Sequence, residues 1–310
     1  MTHQAPIFRD TQPLHLRDAS TSDAQALAPE PARSIGGILV ATGRLSSADV
    51  ARVAELQHKE KLQFGEAALA LKLITKDDID FALSKQFDYT YLTGQDESLS
   101  PELIAAYKPF SRIGENLRAV RSQLMLRWFN GDPLRKVMAI VSPSQGDGRS
   151  FMAANLAVVF AQQGQRTLLI DADLRDNPDK GLHRLFKLGK NVGLSGLLAD
   201  RAGPEAIQLI PALPSLAVLP AGSQPPNPQE LLGRPVFGRL LGNMCHQFDV
   251  VLIDTPNGTE YADAEIVAAR AGAALLVARK NHTMLPRAIE LASRLQDSGV
   301  AVVGSVLNDS

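Results

Sequence analysis

The run Lys136-Val-Met-Ala-Ile-Val-Ser-Pro-Ser-Gln-Gly-Asp-Gly-Arg-Ser150, continued through Asp171-Ala-Asp-Leu-Arg175, reads as strand, phosphate loop, helix, strand and acidic turn. Val137 to Val141 is an unbroken apolar run, as a strand buried on both faces requires. Ser142 to Ser150 then reads as a loop. Gly146 and Gly148 allow a sharp turn in which successive N–H groups converge on one concavity, and a helix starting near Ser150 adds the positive end of its dipole. That is an anion site shaped for phosphates. Against the pattern G-x-x-x-x-G-K-[ST], Gly148 and Ser150 match, Pro143 holds the first glycine position and Arg149 holds the lysine position.

Working outward, Phe151 to Gln163 reads as a helix stopped by Gly164, and Arg166 to Ile170 as the next buried strand. Asp171 and Asp173 follow at its carboxyl end, where paired carboxylates opposite a phosphate loop handle Mg2+ and a substrate hydroxyl. Phe248 to Asp254 is a second apolar strand ending in a carboxylate. It predicts Asp254 beside Ser150, holding Mg2+ water, and Pro256 turns the chain out of the sheet. Ala273 to Ala278 and Val300 to Leu307 are further strands, with a helix from Leu285 to Gln296 between them. Strands alternating with helices predict an α/β fold of the P-loop NTPase kind, a mostly parallel sheet flanked by helices, with ligands at the carboxyl ends of the strands.

At 310 residues the chain has room for two domains, and 32 basic against 33 acidic residues argue against nucleic acid as a partner. The single cysteine, Cys245, excludes an intramolecular disulfide and a Cys-based zinc cluster, so a reducing cytosol is the simplest home. No apolar run is long enough to span a bilayer, and the first residues do not read as a signal peptide. Membrane association is therefore expected through a partner.

Residues 1 to 32 mix Pro, Asp, Ser, Thr and Ala without periodicity and read as a disordered leader. From 33 to 92 a repeat appears at a shift of 29 residues: Gly36, Leu45, Ser46, Asp49, Val50 and Gln57 align with Gly65, Ile74, Thr75, Asp78, Ile79 and Gln86. Each unit reads as a short helix, a turn, a Ser or Thr cap and a second helix ending in Gln, so the pair predicts a small all-α domain closing near Phe87 to Leu92. The repeat resembles the N-terminal domain of type II secretion and pilus-assembly ATPases, and that resemblance implies cyclic di-GMP as a ligand. At the arginine positions this chain has Ser34 and Gln63, and Lys72 replaces the inner glycine of the second unit. Losing the planar cation that pairs with phosphate and stacks on guanine favours protein docking instead. Residues 93 to 110 read as a linker with a capped short helix starting near Ser100.

A helix is expected from Ser111 to Trp128, carrying Glu115, Arg118 and Arg121 at helical spacing on one side. This helix, the phosphate loop, Asp171-x-Asp173-x-Arg175 and Asp254-x-Pro256 together resemble the cytoplasmic domain of bacterial tyrosine kinases, the BY-kinases of capsule and exopolysaccharide synthesis. Asn177-Pro178, Gly193-Leu-Ser195, Leu219-Pro-Ala-Gly222, Pro226 to Leu232 and Gly304-x-Val306-Leu-Asn308 extend the likeness over residues 111 to 310. With the helical domain ahead of it, the chain looks most like the EpsG-type kinases paired with a membrane-embedded polysaccharide chain-length determinant. The resemblance implies transfer of the γ-phosphoryl group of ATP to tyrosine. Amides of Gly146, Asp147, Gly148, Arg149, Ser150 and Phe151 would cradle the nucleotide, with Asn308 near adenine. Ser150, Asp173 and Asp254 would hold Mg2+, and Asp171 would accept the tyrosine proton. Glu115, Arg118 and Arg121 would join subunits into a homo-oligomeric ring, and the protein would be cytoplasmic, peripheral to the inner membrane through its partner.

Two departures keep alternatives open. Arg149 is wider and more rigid than the lysine it replaces. The four tyrosines, 89, 91, 107 and 261, form no cluster of the kind in which family members usually end. An active tyrosine kinase and an ATP-binding switch or scaffold of the same machinery are both open readings. A partitioning ATPase fits less well, because Ser144 stands at its signature lysine.

Overall fold

The computed structural model describes residues 34–86, 91–92, 96–175, 181–189 and 192–309. The leader expected over 1 to 32, the segment 87–90 and the Asn177-Pro178 pair lie outside them. The chain divides into two compact units, one ending at Asp96 and one running from Glu97 to Ser310.

The first unit contains α1 (Ile35–Ala41), α2 (Ser47–Glu60), α3 (Phe64–Ala70) and α4 (Lys76–Gln86). The Ser46 hydroxyl accepts from the Asp49 N–H at 3.1 Å, and Thr75 does the same for Asp78 at 3.3 Å, so both long helices start where the repeat places a cap. Helix α1 packs on α4 and α2 on α3, around Leu39, Val53, Ala67 and Ala82. The paired glycines have a packing cause: a Cβ on Gly36 would stand 2.9 Å from the Phe64 ring, and one on Gly65 would stand 3.1 Å from Ile79. Lys72 takes φ 55°, so it keeps the left-handed turn that its counterpart Gly43 makes at φ 70°. Ser34 and Gln63, which stand where the secretion-ATPase domain has arginines, both begin helices. Ser34 accepts from Gly37 N–H at 3.1 Å, and the Glu66 carboxylate accepts from Gln63 N–H at 3.0 Å.

The second unit starts with α5 (Ile104–Tyr107) and α6 (Arg112–Arg127), then alternates as β1 (Val137–Val141), α7 (Arg149–Gln162) and β2 (Thr167–Asp171). Next come α8 (Gly181–Leu185), α9 (Leu194–Leu198), β3 (Gln208–Leu209), β4 (Leu216–Leu219), α10 (Pro228–Gly233) and α11 (Pro235–Gln247). The unit finishes with β5 (Val250–Asp254), α12 (Asp263–Ala271), β6 (Ala273–Arg279), α13 (Leu285–Asp297) and β7 (Ala301–Asn308). The seven strands lie in the order β3-β4-β2-β5-β1-β6-β7. All neighbours are parallel except β3 and β4, which are antiparallel. Side chains of β1 alternate between faces: Val137, Ala139 and Val141 enter a core built with α9 to α13, while Met138 and Ile140 are buried outside that cluster. A sheet covered on both faces explains why its central strands read as continuous apolar runs.

Helix α7 is buried from Met152 to Ala161, with α5 and α6 packed on it. Residues 97–110 differ from the linker expectation, because they are built into this unit. Leu103 and Ala105 are fully buried, and the Ala105 N–H donates to the Oδ1 of Asn155 in α7 at 2.9 Å. The short helix starts after Leu103, which offers no side-chain cap, rather than near Ser100, whose hydroxyl accepts from the Glu102 N–H at 3.3 Å. No helix among the described residues is long and apolar enough to cross a membrane.

Candidate functional site

The site forms where β1, β2 and β5 end side by side. Asp171 pairs with Asp254 across β2 and β5, and Ile140 of β1 pairs with Asp254 on its other side, so register alone brings the acidic strand ends beneath the loop leaving β1. Within that loop Gly146 has φ 80° and Gly148 has φ 94°, a left-handed region that favours glycine, and Gly148 is the N-cap of α7. A cleft of about 300 Å3 opens in front of it, walled by Gln145, Gly146, Gly148, Arg149, Ser150 and Phe151 on the loop side. Asp173, Arg175, Pro256, Asn257, Glu260 and Tyr261 close the other side.

Asp254, at the end of β5, is 1% exposed, and one of its carboxylate oxygens, Oδ1, has no hydrogen-bond partner. Burial pushes its carboxyl up to about 7, against the pull of the Arg149 charge and a hydrogen bond from Ser150, with the Asp173 charge adding to the rise. A buried carboxylate so placed, beside a hydroxyl that opens on the cleft, suits a hard cation. Among the described residues no group of three or more His, Cys, Asp or Glu side chains gathers to hold a metal. Mg2+ would therefore take Ser150 and Asp254 as a partial set, with Asp173 reached through water rather than by contact, and complete it with nucleotide oxygens and water, as Mg2+ commonly does.

Arg149 is the main surprise. It is 8% exposed, and its fork is used inside the protein. Nε donates to Thr255 O at 2.8 Å, and Nη1 donates to the Ser142 hydroxyl at 2.5 Å and to Ser144 O at 2.9 Å. One guanidinium thus ties the first limb of the phosphate loop to the turn after β5. A lysine ammonium is too compact to span three such acceptors.

The other flank is held through Asp147, whose side chain is fully buried. It accepts from Ser144 N–H at 2.8 Å and the Thr283 hydroxyl at 2.6 Å, and it meets His282 Nδ1 at 3.0 Å. Asn308 at the end of β7 donates to Asp147 O at 3.3 Å, and a Cβ on Gly148 would stand 2.3 Å from its amide nitrogen. Asn308 therefore packs against the loop at Asp147 and Gly148 and is not among the residues walling the cleft.

The sequence-derived residues sort as follows. Gly146, Gly148, Arg149, Ser150, Phe151 and Asp173 line one cleft, and the buried Asp254 stands beside Ser150 without joining the lining. Asp171 is adjacent but withdrawn, 6% exposed, and its Oδ1 accepts from the Asp173 N–H at 3.1 Å. Glu115, Arg118 and Arg121 lie on α6, away from the site. Arg118 pairs with Glu115 and donates to Pro109 O, and Arg121 donates to Val159 O of α7 at 3.1 Å, which leaves Glu115, 71% exposed, as the outward member. Sequence reasoning missed the roles of His282, Thr283, Asp263 and Tyr261. Asp263, 1% exposed, receives both arms of the Arg175 fork at 3.0 and 3.2 Å across 88 residues of chain, and no local spacing signals such a pair.

No protein-family model matches the chain. It is 35% identical over 206 residues to the tyrosine-protein kinase YwqD of Bacillus subtilis (strain 168), covering 66% of this chain and 85% of that protein. It is also 35% identical over 208 residues to the tyrosine-protein kinase wzc of Salmonella typhimurium, covering 67% of this chain and 28% of that protein. Among solved structures, the kinase domain of the Escherichia coli tyrosine kinase ETK superposes with a TM-score of 0.64 at 31% identity, over 72% of this chain and 85% of that one. The chain spans only 27% and 29% of the length of two Ralstonia relatives that it also matches.

Proposed function

The chain belongs to the bacterial tyrosine-protein kinases, and from that premise we propose that it transfers the γ-phosphoryl group of ATP to tyrosine hydroxyls, with Mg2+ as cofactor. The observation that carries the reading is Ser150 on the wall of a cleft lined by the phosphate loop, set beside the buried Asp254, whose Oδ1 has no hydrogen-bond partner. Loop and helix amides bind and orient the phosphates. Mg2+, when bound, neutralises charge on the β- and γ-oxygens. Asp173 faces the cleft and is the carboxylate in place to accept the tyrosine proton, with Asp171 orienting it by accepting its N–H. That assignment moves to Asp173 the proton-accepting role expected of Asp171, because Asp171 is the more withdrawn of the two.

The reading extends to exopolysaccharide synthesis beside a membrane-embedded chain-length determinant, in a ring of copies joined at the α6 face where Glu115 projects. The helical unit docks a protein in this scheme: the places that would carry nucleotide-binding arginines are spent on helix starts. A second reading, an ATP-binding switch with little transfer, is favoured by Arg149, whose charge is committed to loop acceptors. Incubating the chain and the cytoplasmic end of its membrane partner with Mg-ATP separates the two. Phosphotyrosine supports the kinase, and tightly held ATP without phosphotyrosine supports the switch.

A further inference from the structure

The chain has four tyrosines, and Tyr89 lies outside the described residues. Tyr91 belongs to the helical unit, where its hydroxyl donates to Asp77 O at 3.4 Å. The Tyr107 hydroxyl is built into the turn before α5, donating to Leu99 O at 2.9 Å and accepting from Leu99 N–H at 3.2 Å. Tyr261 differs from both. It is 37% exposed and forms part of the cleft wall together with Ser150 and Asp173.

Its ring is seated. The Arg175 guanidinium carbon lies 4.0 Å from the ring centroid, and the same guanidinium is fixed by its two-armed pair with buried Asp263. Gln224 adds a bond to the Arg175 carbonyl at 3.1 Å, so three loops converge on the residue beneath the ring. A phenol held on the wall of a phosphate cleft needs no diffusional encounter to meet a bound nucleotide.

We propose that Tyr261 is a phosphoryl acceptor of the cleft in its own chain, a modification site that rests on the kinase reading above. In the step, the Tyr261 oxygen forms a bond to the γ-phosphorus as the bond from that phosphorus to the β,γ-bridging oxygen breaks. The electron pair of the broken bond leaves with ADP, and the phenol proton passes to a cleft carboxylate, Asp173. The product dianion then stands beside the Arg175 cation, where charge-assisted hydrogen bonds favour it.

The test incubates the full chain with Mg-ATP and an added tyrosine-containing peptide, then maps phosphotyrosine by mass spectrometry at several protein concentrations. The proposal expects phosphate on Tyr261 at a first-order rate independent of chain concentration, and loss of that incorporation in Tyr261→Phe. Phosphate on the peptide or on other tyrosines with none on Tyr261 overturns the proposal and leaves the kinase reading standing. A rate at Tyr261 that rises with chain concentration overturns transfer within one chain. Bound ATP with no phosphotyrosine anywhere overturns both.

Discussion

The Nε of Arg149 donates to the carbonyl oxygen of Thr255 at 2.8 Å, so the side chain in the lysine position of the phosphate loop is fastened to the turn after β5. With Ser142 and Ser144 it completes a strut under one flank of the loop, and Asp147 with Thr283 and His282 holds the other. The loop is therefore pre-shaped for anions by side chains bonded within the protein, which lowers the ordering cost of binding a nucleotide.

Asp254 makes stability depend on pH. Its carboxyl is raised from the ordinary 3.8 to about 7 in the folded chain, so the folded state holds the proton more tightly than the unfolded one. That contribution is full below the unfolded value and is lost as the pH rises through the folded one. Asp254→Asn is thus expected to stabilise the nucleotide-free protein at about pH 8, with the gain shrinking as the pH falls and vanishing toward about pH 4. Thermal melts across that range check it, and an unchanged or falling melting temperature at the upper end would refute the burial argument.

Gly148→Ala combines a left-handed backbone with a Cβ 2.3 Å from the Asn308 amide. The cost is expected at about 1–3 kcal/mol from the backbone conformation alone, with further loss as Asn308 is displaced. Nucleotide titration should show at least tenfold weaker ATP binding. Gly233→Ala, a site where an added Cβ meets nothing within 4 Å, serves as the control and should leave affinity unchanged.

Asp147→Ala deprives Ser144 N–H, the Thr283 hydroxyl and His282 of their shared acceptor. A loss of roughly 2–4 kcal/mol is expected from breaking a buried, charge-assisted set. Amide hydrogen exchange should quicken over residues 144–148 before the rest of the sheet, and uniform quickening would show that the cluster does not act locally.

Much of this was legible in the sequence because the physics was local. The runs at Val137–Val141 and Val250–Ile253 are apolar throughout since both sheet faces are covered, and the glycines at 146 and 148 announce a turn whose φ values are positive. Strands β3 and β4 were not legible: one is two residues long, and the other is a four-residue apolar run among prolines and serines. The packing of residues 97–110 depends on Asn155, some 50 positions away, so composition alone suggested a linker. The direction of Arg149 depends on Thr255, 106 positions away, and the seat of Tyr261 on the Arg175–Asp263 pair. Motif matching fixes where a residue stands, whereas long-range acceptors decide where its charge goes.

The most direct test of the central claim is the rate of phosphotyrosine formation at saturating Mg-ATP in the wild-type chain and in Arg149→Lys, with melting temperatures measured alongside. Lysine cannot span Thr255, Ser142 and Ser144, and two lost charge-assisted bonds are expected to cost roughly 2–4 kcal/mol. Its ammonium, released from the strut, can follow the migrating phosphoryl group. The account predicts a lower melting temperature with a turnover at least tenfold higher than wild type. An Arg149→Lys protein as stable as wild type, with the same turnover, would contradict it.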